Sequence, residues 1–400
     1  MTEILIFIVF LQETYLINTM EYIKRAIEDQ VIKDLLSKNK VILIYGARRV
    51  GKTVLLRKII ERINVEHLLL NGEDFDHEEL LKNRSTSHYK RILGKKRLLI
   101  IDEAQTIPGI GLKLKLMIDT IPGLKILATG SSSFDLNNEV GEPLVGRKIE
   151  YFLFPLSQME FSAKEDYGTS LSNLEERLIF GGYPELMHIR DRKDKIHYLK
   201  DLINAYLLKD VIAFEGIKKR GKIVNLLKMI AFRTGSEISL EGIGKELQIS
   251  KNTVERYLDI LSKVFIIQKI TGFSRNLDNE ITKKAKWYFF DNGIRNALIS
   301  NFNPLDSRDD VGKLWENYFI SERMKYQSYH KLYVSNYFWR HKSQQEIDWI
   351  EESDTKLKAF EIKWNPNVTE RIPKLWKKAY PDATFITINR ENYLDYIVDV

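Results

Sequence analysis

One short segment constrains the fold of this chain more than any other part of its sequence. Residues 46–53 read GARRVGKT, which matches the pattern G-x-x-x-x-G-K-[ST]. The apolar stretch VILIYG at 41–46 precedes it, and TVLLRKIIERI at 53–63 follows with helical periodicity. A glycine-rich turn between a strand and a helix points backbone N–H groups and the positive helix N-terminus at phosphate groups. The segment therefore predicts a phosphate-binding loop in an α/β fold.

The residues of this loop have separate expected roles. We expect Lys52 to reach the β- and γ-phosphates of a nucleoside triphosphate and the Thr53 hydroxyl to bind Mg²⁺. The predicted nucleotide-binding residues are Gly46, Ala47, Arg48, Arg49, Val50, Gly51, Lys52, Thr53 and Val54. The predicted cofactors are accordingly ATP and Mg²⁺.

A pair of carboxylates follows a second apolar strand. LLIIDE at 98–103 places Asp102 and Glu103 at the carboxyl end of that strand, where open α/β sheets bind ligands. We expect Asp102 to hold Mg²⁺ directly or through water, and Glu103 to polarise the attacking water molecule. The second role separates a hydrolase from a protein that only binds nucleotide.

Two further residues are candidates for catalysis. Thr129, at the end of LKILATG (124–130), has a hydroxyl suited to sensing the γ-phosphate or orienting water, and equally to capping the next loop. Arg147, in LVGRKIE (144–150), has the charge to stabilise a transition state in cis or from a neighbouring subunit. An ordinary surface arginine is the alternative interpretation.

Apolar strand-like runs alternate with helical stretches between about residues 41 and 157, which is typical of a parallel sheet covered on both faces. At about 150 residues per domain, the 400-residue length indicates two or three domains. The predicted divisions are an extension at 1–19, a P-loop ATPase core at 20–170, a helical lid or connector at 171–235, a winged helix-turn-helix at 236–302 and a nuclease-like α/β domain at 303–400.

The N-terminal extension contains the apolar run ILIFIVFL at 4–11, which is too short for a bilayer span of about 20 residues. It lacks the basic flank and small-residue cleavage site of a signal peptide. The run is either a buried strand or the product of an upstream start codon, and we favour a true start at Met20. The chain has no cysteine, which excludes disulfides, thiolate zinc sites and iron–sulfur clusters. We expect a cytoplasmic protein with no membrane partner.

Residues 237–261 have the spacing of a helix-turn-helix, with Ser250 as the expected N-cap of the second helix. The exposed face of that helix offers Lys251, Asn252, Thr253 and Arg256 for contacts with phosphates and base edges. Residues 215–275 contain 12 Lys or Arg and 6 Asp or Glu, and so carry +6 of the net +7 of the chain. DNA is the predicted partner; a protein contact or a simple connector is the alternative.

The last hundred residues follow the order helix, three strands, helix, strand. Alternation along the strands puts Asp348 on one face with Glu346, and Glu361 on one face with Lys363. The apolar residues assigned to the opposite face are Ile347, Trp349, Phe360, Ile362 and Trp364.

This αβββαβ order favours a metal-dependent phosphodiesterase site. Asp348 and Glu361 are expected to hold Mg²⁺, with Glu316 as a third carboxylate and Lys363 orienting or deprotonating water. The alternative is an amphipathic hairpin whose solvated face carries ion pairs across the strands.

A series of motifs in a fixed order extends these assignments over most of the chain. They are GARRVGKT (46–53), LLIIDEAQ (98–105), ATGSSS (128–133), the step 146–147, FPLSQMEF (154–161), GGYPE (181–185), LLKDV (207–211), NTVERYLDIL (252–261), YFFDNGIRNAL (288–298), LWEN (314–317), EIDWI (346–350) and FEIKW (360–364). The series resembles the prokaryotic AAA-type ATPases that are fused to a C-terminal winged-helix and PD-(D/E)XK-like domain of unknown function. The resemblance covers residues 20–389.

The resemblance implies an AAA-type ATPase core whose site residues are Lys52, Thr53, Asp102 and Glu103. It also places nuclease-type positions at Glu316, Asp348, Glu361 and Lys363. The leading hypothesis is a cytoplasmic ATPase that couples its nucleotide state to DNA binding or processing. The alternative is a nucleotide-operated interaction switch whose last domain binds a protein partner and cuts nothing. Self-association stays open.

Overall fold

The structure is a computed structural model of the chain and describes residues 22–131, 144–207, 220–274, 285–354, 356–368 and 371–399. The extension predicted at 1–19 therefore lies outside the described residues. The N-terminal half contains α1 (Glu28–Ser37), β1 (Val41–Tyr45), α2 (Lys52–Ile63), β2 (His67–Asn71), α3 (Phe75–Leu80), α4 (Thr86–Leu93), β3 (Leu98–Asp102), α5 (Ile110–Thr120), β4 (Lys125–Gly130), β5 (Lys148–Phe152), α6 (Gln158–Ser162), α7 (Tyr167–Ser172), α8 (Leu174–Phe180) and α9 (Arg192–Asp201), followed by a π-helical segment (Leu202–Leu207).

The first sheet is parallel throughout and has the strand order β2-β3-β4-β1-β5. Every residue of β1 is buried, and alternate side chains enter two separate cores. Ile42 and Ile44 pack in one core, whereas Val41, Leu43 and Tyr45 pack in the other. A strand with a core on each side has no solvated face, which explains its continuous apolar sequence. The predicted parallel sheet with two covered faces is thus confirmed.

The second half of the chain begins with a long helix and ends in a second sheet. Its elements are α10 (Arg220–Phe232), β6 (Glu237–Ile238), α11 (Leu240–Leu247), α12 (Lys251–Lys263), β7 (Ile267–Gly272), β8 (Ala285–Phe289), α13 (Asn292–Leu298), α14 (Val311–Tyr329), β9 (Ser335–Arg340), β10 (Glu346–Ser353), β11 (Lys356–Ile362), α15 (Lys374–Ala379), β12 (Thr384–Ile388) and α16 (Leu394–Ile397). Short 3₁₀ helices lie at Ala104–Thr106, Pro184–Met187 and Leu305–Ser307.

The second sheet has the order β12-β11-β10-β9-β7-β8-β6 and joins strands from both predicted C-terminal domains. Strand β7 pairs in parallel with β9, with Thr271 opposite Tyr337. The predicted boundary at residues 302 and 303 therefore divides two groups of strands that one sheet connects. The two C-terminal units share backbone hydrogen bonds, so they form a continuous body rather than modules on a linker.

A β-bulge corrects one prediction about the faces of this sheet. The register between β9 and β10 shifts between Ile347 and Ile350. Ile347 consequently packs with Ile350 in one core, whereas Trp349 packs with Phe360 in another. Regular alternation had put Ile347 and Trp349 on the same face, and the extra residue of the bulge reverses that relation.

Helices α11 and α12 lie where the helix-turn-helix was predicted. The Ser250 hydroxyl accepts a hydrogen bond from the backbone N–H of Thr253 and caps α12 as expected. The apolar side chains of Val254, Leu258 and Leu261 are buried in the core that also contains Ile42 and Ile44 of β1. No helix in the described ranges has both the length and the apolar character that a membrane crossing requires.

Candidate nucleotide-binding site

The phosphate loop connects β1 to α2 at the carboxyl ends of the strands of the first sheet. Gly51 has a φ of 96° and is the N-cap of α2, a conformation that glycine adopts without steric strain. A Cβ atom on Gly46 would lie 2.2 Å from the carbonyl oxygen of Leu153. Both glycines are therefore required by the backbone path. The 12-residue helix directs its positive end at the space in front of the loop.

Lys52 lies across the loop that it follows. Its ammonium donates hydrogen bonds to the carbonyl oxygens of Gly46, at 3.0 Å, and Ala47, at 3.2 Å. The side chain is 4% exposed, and it lies 3.6 Å from a carboxylate oxygen of Glu103. The cation is thus held between the loop and the acidic pair, where incoming phosphate oxygens would replace the weaker carbonyl contacts.

Asp102 connects the loop to the next strands. One of its carboxylate oxygens accepts a hydrogen bond from the Thr53 hydroxyl at 2.6 Å, and the other accepts one from the Thr129 hydroxyl. This contact follows from the strand order, because β4 lies between β1 and β3 and their carboxyl ends are adjacent. A hydroxyl and a carboxylate oxygen in contact are the donor set that Mg²⁺ prefers. Thr53 and Asp102 would hold that ion between the loop and β3.

Glu103 has a left-handed backbone conformation, with a φ of 50°. Its side chain accepts a hydrogen bond from the Gln105 amide at 2.6 Å. Burial alone would raise the pKa of Glu103, but the Lys52 ammonium, the Gln105 amide and the Arg48 charge outweigh burial, and the pKa lies below its usual range. The carboxylate is therefore ionised and able to accept a proton from a bound water molecule.

Thr129 is fully buried, at 0% exposed. Its hydroxyl donates to Asp102 and accepts a hydrogen bond from the backbone N–H of Glu103 at 3.1 Å. Thr129 thus positions the acidic pair, an arrangement that differs from both sequence interpretations. A direct contact of Thr129 with the γ-phosphate or with water stays a prediction.

Arg147 lies at the amino-terminal ends of the strands, whereas the phosphate loop lies at their carboxyl ends. Its carbonyl oxygen accepts a hydrogen bond from the N–H of Val41 at the start of β1, whereas the loop begins after Tyr45. At about 3.3 Å per residue, β1 separates the two by roughly 13 Å. The Arg147 guanidinium pairs with Asp119 at 2.7 Å. This position excludes the in-cis role, and a role at a neighbouring subunit's nucleotide stays a prediction.

Arg25 contacts the phosphate loop and was missed by the sequence analysis. Its guanidinium is 4% exposed and donates to the carbonyl oxygens of Val50 and Phe154, each at 2.7 Å. It also pairs with Glu160 at 2.9 Å. A lone arginine in a helical pattern carries no signal of such a role, because its partners lie 25 to 135 residues away in sequence.

The four predicted DNA-contacting residues lie in the first two turns of α12. Lys251, Asn252 and Arg256 are exposed, and Thr253 is half-buried with its hydroxyl 2.8 Å from that of Ser250. Lys251 lies 3.5 Å from the carboxylate of Glu241, so part of the expected basic surface is neutralised within the chain.

The predicted nuclease-type residues lie on α14 (Glu316), on β10 (Asp348) and at the end of β11 (Glu361, with Lys363 just after it). Lys363 and Glu361 form an ion pair at 2.7 Å. The Asp348 carboxylate accepts a hydrogen bond from the backbone N–H of Ile362 at 2.9 Å. Burial and the neighbouring Asp348 raise the pKa of Glu316 to about 7. Within the described ranges, no group of three or more His, Asp and Glu side chains has the arrangement of a metal site.

A buried lysine that the sequence analysis did not consider lies among these carboxylates. The Lys286 ammonium is 2.5 Å from Glu346 and 3.8 Å from Glu316. Burial would lower the pKa of Lys286, but the carboxylates of Glu316, Asp348 and Glu346 outweigh burial, and the pKa lies above its usual value. The sequence feature that indicates this burial is a lysine within the otherwise apolar strand AKWYF.

Comparisons with known proteins match three successive parts of the chain. Residues 38–162 match a family described as an AAA domain. Residues 171–305 and 311–397 match two domains of unknown function, DUF8612 and DUF4143. The AAA match and the parallel sheet with its phosphate loop support an AAA-type P-loop fold for residues 38–162.

Relatives extend over most of the chain. An uncharacterized protein of Methanocaldococcus jannaschii is 26% identical and aligns with 94% of this chain and 87% of its own length. An uncharacterized protein of Mycobacterium tuberculosis is 25% identical over 83% of this chain and 72% of its own length.

Solved structures with partial similarity include the RuvB Holliday junction branch migration motor of Thermotoga maritima. It has 14% identity and a TM-score of 0.30 over 62% of this chain and 90% of that chain. AMPPCP-bound DnaA of Aquifex aeolicus has 14% identity and a TM-score of 0.26 over 59% of this chain and 86% of that chain. Scores this low do not establish a common overall arrangement.

Proposed function

We propose that this chain is a Mg²⁺-dependent AAA-type ATPase that couples nucleotide binding and hydrolysis to DNA binding. The observation that carries the proposal is the contact of Thr53, Asp102 and Thr129 beside the ionised Glu103. These side chains come from the adjacent ends of β3 and β4 and from the phosphate loop, so the sheet holds them in fixed relation. Fixed geometry of this kind is what hydrolysis of a phosphoanhydride requires.

The hydrolytic step assigns a separate task to each residue. Lys52 leaves the carbonyls of its own loop and binds oxygens of the β- and γ-phosphates. Thr53 and Asp102 would hold Mg²⁺, which would neutralise charge on those phosphates. Glu103 accepts the proton of the attacking water while the bond from the γ-phosphorus to the bridging oxygen breaks. ADP and inorganic phosphate leave, and Glu103 returns its proton to solvent.

Arg147 enters this proposal as a residue that acts on a neighbouring subunit's nucleotide. Its side chain is 41% exposed and lies at the sheet edge opposite the phosphate loop of its own chain. A head-to-tail homo-oligomer brings such an edge to the next loop. Mixing Lys52→Ala subunits with Arg147→Ala subunits tests this role. Restored turnover is expected in the mixture, because some interfaces then combine an intact loop with an intact arginine.

Coupling to DNA is assigned to residues 236–302, which we interpret as a winged helix. Its candidate contacts are Lys251, Asn252, Thr253 and Arg256 on α12. The unit also contacts the helical segment that follows the ATPase domain, because the Asp291 carboxylate accepts a hydrogen bond from the Gly182 N–H at 2.7 Å. Phe290 stacks on Phe154 near the phosphate loop, with ring centroids 5.6 Å apart. These contacts support coupling between the two units, because Phe154 shares the Arg25 side chain with Val50 of the phosphate loop.

Two variants separate binding from hydrolysis. Lys52→Ala removes the phosphate contact, so both ATP binding and turnover are expected to fall. Glu103→Gln keeps the shape of the site but cannot accept the proton, so ATP should bind while turnover falls by about 10² or more. Lys58→Ala, on the same helix as Lys52, is the matched control. Unchanged phosphate release in both variants would refute the proposed site.

A second candidate function is a nucleotide-operated interaction switch whose C-terminal domain binds a partner without cutting nucleic acid. The arrangement of Glu361, Lys363 and Asp348 in ion pairs and backbone hydrogen bonds favours it. Incubation of supercoiled and single-stranded DNA with Mg²⁺ or Mn²⁺ distinguishes the candidates. Cleavage that is lost in Asp348→Ala supports a nuclease, and inertness with all metals and nucleotides supports the switch.

A further inference from the structure

Gly235, Lys286 and Tyr288 cover the cluster of Glu316, Glu346 and Asp348, which we call the carboxylate pocket, although the Glu346 side chain stays 31% exposed. Tyr288 of β8 donates a hydrogen bond to Glu316 at 2.6 Å. Gly235, with a φ of 73°, lies so close that a Cβ atom there would be 2.9 Å from the same carboxylate. The Lys286 side chain, 3% exposed, completes this cover. These residues therefore cover Glu316, and Lys286 adds a cation beside it.

The Lys286 ammonium lies among these carboxylates. It lies 2.5 Å from a carboxylate oxygen of Glu346 and 3.8 Å from one of Glu316. It also interacts electrostatically with Asp348, the third carboxylate of the pocket. A divalent ion shared by these carboxylates would be close to a buried ammonium, and two unscreened cations at such short range repel strongly.

We propose that Lys286 is the resident cation of this pocket and excludes a divalent metal ion from Glu316, Glu346 and Asp348. The carboxylates then have a structural task. They bind β8 to α14 and β10 through an internal ion-pair cluster and join the helix-turn-helix unit to the C-terminal unit. The last domain would then hold no divalent metal ion at these three carboxylates. This inference does not depend on ATP hydrolysis at the phosphate loop.

The proposal predicts that removal of the lysine creates a metal site. Lys286→Met keeps the length and much of the apolar packing of the side chain but removes the charge. Mn²⁺ is the probe, and the full chain is titrated without nucleotide by electron paramagnetic resonance of the free ion. We expect Lys286→Met to bind one more Mn²⁺ per chain than the wild type. The added site should disappear in the double variant Lys286→Met with Asp348→Asn.

Mn²⁺ should also raise the melting temperature of Lys286→Met, since a ligand that binds only the folded state stabilises it. No such shift, beyond that of the Asp348→Asn control, is expected for the wild type. A folded Lys286→Met that gains no site dependent on Asp348 overturns the proposal.

A comparison of the wild type with Asp348→Asn also decides the question if Lys286→Met does not fold. Wild-type chain and Asp348→Asn should then bind Mn²⁺ equally, because the pocket contributes no metal site in either. A Mn²⁺ ion that wild type binds and Asp348→Asn loses contradicts the proposal directly. Metal binding near Thr53 and Asp102 is common to both chains and cancels from the comparison.

Discussion

The guanidinium of Arg25 donates a hydrogen bond to the backbone carbonyl of Val50, in the phosphate loop, across 2.7 Å. The same side chain pairs with Glu160, which caps α6 through Ser157. The N–H of Gln158 in α6 in turn donates to Glu322 of α14 at 2.6 Å. A continuous set of buried polar contacts therefore joins the phosphate loop to the long helix of the C-terminal unit.

Loss of the Arg25 contact is expected to destabilise the fold. Arg25→Gln leaves Glu160 buried without its cation, and breaking a buried pair costs about 3 to 5 kcal/mol. Urea unfolding followed by circular dichroism measures the change. Lys24→Gln is the control, because Lys24 pairs with Asp29 at an exposed position and should change stability by less than about 0.5 kcal/mol. Equal unfolding midpoints for the two variants would show that the buried pair has no such role.

Thr129 is expected to affect both stability and turnover. Thr129→Val removes the hydroxyl that joins Asp102 to the Glu103 N–H and leaves buried polar groups unsatisfied, at a cost of about 1 to 3 kcal/mol. If the substitution raises the activation free energy of hydrolysis by about 1.4 kcal/mol or more, turnover should fall about tenfold or more. Thr129→Ser keeps the hydroxyl and should retain most activity. Steady-state phosphate release compares the two, and equal rates would contradict the positioning role.

Stability at acid pH should depend on Asp310. Burial would raise the pKa of Asp310, but Arg308 and Arg295 lower it to about 2. The unfolded value is about 3.9, so the ion pairs stabilise the fold fully above about pH 4 and lose that effect as the pH falls toward 2. At neutral pH we expect a contribution of about 2 kcal/mol.

The matching experiment compares the unfolding free energies of wild type and Asp310→Asn between pH 6 and pH 2.5. The difference between them should shrink as the pH falls, while the exposed control Asp382→Asn should follow the wild type throughout. A difference that stays constant with pH would show that this carboxyl is not depressed.

DNA affinity should depend on the salt concentration through α12. Arg256→Ala should weaken binding and reduce the slope of log affinity against log salt concentration by about 0.9, as expected for one phosphate contact. The exposed Lys82 of the ATPase domain provides the control variant Lys82→Ala, which should leave that slope unchanged. Fluorescence anisotropy with labelled duplex measures both. Identical slopes in wild type and Arg256→Ala would argue for the protein-contact interpretation of this unit.

Local sequence patterns predicted the phosphate loop, the acidic pair and the parallel sheet, because each depends on residues close together in sequence. The strand β5 and the bulge near Ile347 were missed, since both depend on register with a neighbouring strand. Arg25 and Lys286 were missed for a related reason. Their roles come from partners that long-range folding brings together, such as Glu160, 135 residues away. A charged residue within an apolar strand, as at Lys286, is the signal that points to such a buried pair.

The central claim is that Glu103 catalyses ATP hydrolysis in a domain coupled to DNA. The most direct measurement is the steady-state ATPase rate of the full chain and of Glu103→Gln, each with and without duplex DNA. We predict that DNA stimulates turnover in the wild type. The rate of Glu103→Gln should be lower by a factor of about 10² or more under both conditions. Equal rates in the two chains, or a wild-type rate that DNA leaves unchanged, would contradict this account.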